Sequence, residues 1–153
     1  MTEAALQSER WEVAADPLAL YERSLTEGWG DGLPLLPPTE GRVRDLLAAT
    51  PHPPDHVVTE VMHPNGGAAT VEKIAINAAM AGCAPEHLPF VIAGVEAICE
   101  PGYNLYGVGA TTGSAFQMLM VNGPSRDRVG IDYGYSCMGG ATGRGSRTIG
   151  RAV

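Results

Sequence analysis

Residues 70–82, TVEKIAINAAMAG, form a run that is apolar except for its Thr70 cap and three side chains, Glu72, Lys73 and Asn77. At 100° per residue these three fall within about 140° of one another on a helix. Polar groups on a largely covered helix must be solvated or paired, because an unmatched buried one costs about 1–3 kcal/mol. Lining a pocket, Glu72 would act as general base and Lys73 as an anchor for negative charge, with Asn77 binding substrate. The competing reading is a first-turn Glu and Lys at the surface beside a hydrogen-bonded Asn. Cys83 returns to within about 20° of the direction of Glu72 if the helix persists. It precedes Ala84-Pro85, which opens the next helix, and helix N–H groups there would favour a thiolate, although Glu86 opposes this. Cys137 stands in a loop, DYGYSCMGG, with Asp132, Tyr133, Tyr135 and Ser136 nearby. Both thiols read as nucleophile or metal-ligand candidates, or as small residues packed in turns. Arg147 and Thr148, in GGATGRGSRTIGR, are expected at a helix start suited to an anion. The motif is neither a P-loop nor a dinucleotide fingerprint. Trp29 and Asp31, on the glycine-bounded turn GWGDGLP, could cover a site or simply anchor the loop.

The elements that would hold these residues can be read from caps and periodicity. Asp16-Pro17 starts a helix reaching about Glu27, and Thr39 caps a second through Leu47. HVVTEVM, residues 56–62, suits a strand. A helix is expected from about Thr70 to Gly82 and another from Pro85 to Cys99. In the second, Leu88, Val91, Ile92, Val95, Ile98 and Cys99 make a core stripe, with Cys99 a buried structural thiol. FQMLMVNG, residues 116–123, reads as a buried strand, and PSRDRVG as a short helix at most. Residues 1–15 have no clear period and are expected to form a mobile or partner-draped arm, leaving 16–153 as one domain with a Gly-rich C-terminal segment. RTIGRAV opens a helical pattern that does not continue, so the structure is expected to be completed by another chain or the chain to be truncated.

The 153 residues include 20 Gly and 12 Pro, yet 44% are apolar and 18% charged, which describes a loop-rich folded chain and excludes disorder for most of it. No apolar run approaches a membrane span. Residues 1–100 carry 15 acids and 5 bases, and residues 101–153 carry 2 acids and 5 bases. An acidic chain with five dispersed C-terminal arginines argues against nucleic acid and for, at most, one anionic group on a small ligand. Three cysteines without close spacing, and an N-terminus lacking signal-peptide regions, point to a cytoplasmic, reduced protein. No CxxC or CxxH pair supports structural zinc; the cofactor is left unknown, with a metal or cluster held by Cys83 and Cys137 kept open. The fold class expected is α+β or α/β, with helices packed on a small sheet.

The phrases GWGDGLPLLPPT, VEKIAINAAMAGCAPEHLP, NLYGVGATTG, and VNGP followed by a Gly-rich stretch ending TIGRA occur here in order across residues 27–153. In this the chain resembles a widespread bacterial family found alone or associated with proteins named for a UGSC motif containing Cys or selenocysteine. The resemblance implies no activity or catalytic residue. It places Glu72, Lys73, Asn77, Cys83 and Asn122 within motif phrases, and implies a longer chain or a second polypeptide finishing the fold. Taken together, these features point to a subunit of a small-molecule enzyme, acting on an anionic organic substrate by lyase or hydratase chemistry. The alternatives are a thiol-redox or metal-dependent enzyme, or a non-catalytic partner subunit. A second chain or a homo-oligomer is expected, with no nucleic acid and no membrane.

Overall fold

Helix α3, Val71–Ala81, packs against three other helices and a strand in the computed structural model, which describes residues 5–136 and 140–153. Its start is fixed locally: the Thr70 hydroxyl accepts from the Lys73 amide, and the free amides of Val71 and Glu72 donate to the His56 and Pro54 carbonyls. Its end is equally explicit. Gly82 takes φ 89°, and the amides of Gly82 and Cys83 return to the Ala79 and Ala78 carbonyls.

The same logic sets the preceding elements. Helix α1 spans Pro17–Glu27 between an Asp16 cap and Gly28, and α2 spans Glu40–Leu47 behind Thr39. Strand β1, Val57–Met62, pairs antiparallel with β2, Gly67–Thr70, which runs straight into α3. The expected strand at 56–62 is therefore present, and its partner is the short GAAT segment after the HPNGG turn. After α3 a 3-10 turn, Pro85–His87, leads into α4, Leu88–Cys99. A second 3-10 turn, Pro101–Tyr103, is followed by α5, Leu105–Ala110, the brief α6, Ser125–Arg128, and α7, Arg144–Ala152. Seven helices and one two-stranded antiparallel sheet among the described residues make an α+β fold.

The core lies where α2, α3, α4 and α7 meet. Val43 and Leu46, then Val71, Ile74, Ala75, Ala78 and Ala79, then Leu88, Val91, Ile92 and Val95 are buried together with Val129 and Ile149. The alanines of α3 let its neighbours approach closely, and the α4 stripe is buried as its three-and-four spacing requires, with Cys99 at its half-buried end. The described residues contain no helix long and apolar enough to cross a membrane.

Two expectations differ from what is observed. Residues 116–123 form no strand; Phe116, Met118 and Met120 are exposed, because the described residues offer this segment no ladder to join. Helix α7 begins at Arg144, so Arg147 and Thr148 lie past its opening residues rather than at them. The arm is irregular in residues 5–15, yet it runs along the chain's own body. Leu6 packs on the core, Arg10 pairs with Glu40 at 3.1 Å, and Trp11 meets Trp29 edge-on at 5.5 Å.

Candidate functional site

The polar side of α3 divides into two. Glu72 is 4% exposed and turned to the arm: the Gln7 amide donates to both carboxylate oxygens at 3.0 Å and the Ser8 amide donates at 2.8 Å. Burial raises the pKa of this carboxyl, but the Gln7 and Ser8 amides, the Ser8 hydroxyl and the charge of Arg10 outweigh it and hold the value below the ordinary one. Lys73 and Asn77, four residues apart and therefore on one line of the helix, are exposed, about 100° and 140° around it from Glu72. Both border a cavity of about 290 Å³, whose remaining walls include His63 and Asn65 from the β1–β2 turn, Met62, Ile74, Val95 and Val153. Lys73 Nζ donates to the Ala68 carbonyl at 2.9 Å, which commits one of its three donors and fixes the ammonium at the rim. The Asn77 amide donates to the Lys73 carbonyl at 3.0 Å. The imidazole of His63 leans edge-on against Tyr106, with ring centres 5.4 Å apart.

A smaller cavity of about 100 Å³ lies alongside, lined by Trp29, Asp31, Met80 and Arg151 and sharing Asn77 and Ala152 with the larger one. Asp31 faces Arg151 at 2.7 Å, and the same guanidinium donates to the Leu33 and Pro34 carbonyls. Hydrogen bonding to Arg151 lowers the Asp31 pKa from 3.8 to about 2. This pair clamps the GWGDGLPLLPP loop to α7.

The remaining candidates lie elsewhere. Cys83 is buried, its thiol donating to the Thr148 carbonyl at 3.3 Å. Burial pushes its pKa up, against the hydrogen bond and the nearby charge of Arg144. That is the reverse of an activated thiol. Thr148 Oγ donates to the Arg144 carbonyl and lies 3.2 Å from His87 Nδ1, inside the structure that joins α7 to the Pro85 turn. Arg147 donates to the Gly140 and Ala141 carbonyls at 2.9 Å, so it braces the Gly-rich loop. Asn122 is exposed and borders neither cavity. Cys137 lies outside the described residues. Among the described residues no three His, Cys, Asp or Glu side chains gather as a metal site.

Of the residues expected from sequence, the structure thus brings Lys73 and Asn77 to one groove, with Trp29 and Asp31 at its extension, and sends Glu72, Cys83, Arg147 and Thr148 to structural contacts. It adds His63 and Asn65. Their signal is present in the HPNGG turn, where a His and an Asn stand a few residues before the helix that bears Lys73, but turn chemistry alone accounts for Asn and Gly there.

Compared with known proteins, the chain matches no family model, no curated protein and no solved structure. An ammonium and two carboxamides on apolar walls suit a small molecule with one anionic end, and an imidazole at the same wall can give or take a proton.

Proposed function

We propose that this chain is a subunit of a cytoplasmic small-molecule enzyme that performs lyase or hydratase chemistry on a small organic carboxylate. The observation that carries the reading is the convergence of Lys73, Asn77, His63 and Asn65 on one cavity of about 290 Å³ with otherwise apolar walls. Lys73 would hold the carboxylate, and Asn77 and Asn65 would orient the molecule. His63 would take the proton from the carbon beside the carboxylate. The C–H electron pair would become the new double bond, and the neighbouring hydroxyl, protonated from solvent, would leave as water. Proton handling is assigned to His63 because the Glu72 carboxylate is occupied by the arm amides. The thiol reading is less favoured because Cys83 is buried with a raised pKa. The resemblance of the ordered motif phrases to the UGSC-associated family also favours a subunit of a larger assembly.

The test is a panel of hydroxy and α,β-unsaturated carboxylates, screened by thermal shift and then followed by proton NMR for addition or loss of water. Lys73→Ala is expected to weaken binding at least tenfold, His63→Ala to abolish turnover with binding retained, and Cys83→Ala to leave turnover in place. A panel that produces no shift, or a Lys73→Ala protein that binds as the wild type does, removes the proposal.

A further inference from the structure

Beyond that groove, we propose that the segment 116–120 is a self-association surface, where two copies of this chain pair antiparallel about a twofold axis at Met118. Phe116, Met118 and Met120 are 85%, 64% and 74% exposed. On an extended backbone their spacing of two would set them on one side; Leu119, between Met118 and Met120, packs against the core, and Gln117 is exposed. Residues 116–122 make no backbone–backbone hydrogen bond among the described residues, so their amides and carbonyls remain available to a second strand. A segment rich in large apolar side chains and open along its backbone is an edge that proteins ordinarily cover.

The occupant follows from charge and symmetry. Residues 101–125 contain no charged side chain in a chain of net charge −7. Two like-charged copies can therefore meet there without repulsion, and a charged partner would find nothing to pair with. Antiparallel pairing about Met118 sets Phe116 of each copy opposite Met120 of the other, and Met118 opposite itself. Such aromatic–thioether and thioether–thioether neighbours are favourable cross-strand pairs. At the area usual for such side chains, the three expose on the order of 400 Å² per copy, and two copies with their paired backbones reach roughly the 1,000 Å² that a specific interface needs.

The full chain is expected to sediment as a dimer that dissociates on dilution. Met118→Asp, which places a carboxylate against its own copy on the axis, should give a monomer that melts as the wild type does when diluted below its dissociation. Met118→Cys should cross-link to a dimer under mild oxidation, whereas Gln117→Cys, opposite Leu119 of the other copy, should cross-link at least tenfold less. A monomer at every concentration, a Met118→Asp protein of unchanged mass, or equal cross-linking by the two cysteine variants would overturn the proposal.

Discussion

His87 is 2% exposed and makes its contacts as a neutral ring: the Ala84 amide donates to Nδ1 at 3.1 Å, which requires that nitrogen to carry no proton. Burial holds its pKa below the ordinary 6.5; the nearby charge of Arg144 also lowers it, while Glu86 and a bond to the Val129 backbone partly oppose this. A folded-state pKa below the unfolded one means that the unfolded chain binds the extra proton more readily. The stability linked to this group is therefore complete above 6.5 and is lost as pH falls through the folded value. Melting curves from neutral pH downward should fall, and His87→Gln, whose carboxamide oxygen can still accept from Ala84, should flatten that part of the profile. Glu72 gives a second test. Glu72→Gln turns an amide donor toward the Gln7 and Ser8 N–H groups, and a loss of about 1–3 kcal/mol is expected in denaturant unfolding, with faster proteolysis within residues 5–15. Equal stability and equal proteolysis would mean that the carboxylate does not hold the arm. Sequence exposed the polar identity of Glu72, but its angular position on α3 could not say whether solvent, substrate or distant backbone would meet it. That depended on an arm 65 positions away, which has no periodicity to read.

Helices announced by caps and apolar spacing were legible: Asp16, Thr39 and Thr70 each accept from the first turn of the helix they were expected to start. Strand β2 was not, because GAAT is too short and too small to show alternation, and only pairing with β1 makes it a strand. The opposite case is FQMLMV, which has strand-like residues and nothing beside it to pair with. Helix α7 shows a constraint that neither pattern nor propensity reveals. A Cβ at Gly145 would overlap the Val129 carbonyl oxygen, so this glycine is what allows the helix to lie on the backbone after α6. Gly145→Ala should cost about 2 kcal/mol or more despite its better helix propensity, because backbone has to move. Gly150, on the same helix with nothing near its Cβ position, is the control: Gly150→Ala should stabilise by about 0.5–1 kcal/mol. Thermal melts of the two variants side by side separate packing from propensity.

Across the whole molecule, the division between an acidic residue range 1–100 and a basic 101–153 has an internal use. Arg144 donates twice to the Gly82 carbonyl, at 2.7 and 3.0 Å, and Arg151 grips Asp31 together with the Leu33 and Pro34 carbonyls. Both join α7 to elements formed early in the chain, and α7 in turn supplies Ala152 and Val153 to the groove. Arg151→Gln is therefore expected to loosen the wall of the cavity as well as the loop. The Asp31 pair is partly exposed, so its electrostatic share is below about 1 kcal/mol and falls with salt. The two carbonyl bonds bring the total to about 1–3 kcal/mol, a drop of several degrees in melting temperature for a chain of this size. The two shares can be separated by acid. Because the Asp31 pKa is lowered from 3.8 to about 2, the ion-pair share is present above 3.8 and is lost as pH falls through about 2, whereas the bonds to the Leu33 and Pro34 carbonyls do not titrate. The stability gap between wild type and Arg151→Gln should narrow over that interval to a residue that salt does not alter. A gap that stays constant across it would mean that Arg151 holds the loop through the carbonyls alone.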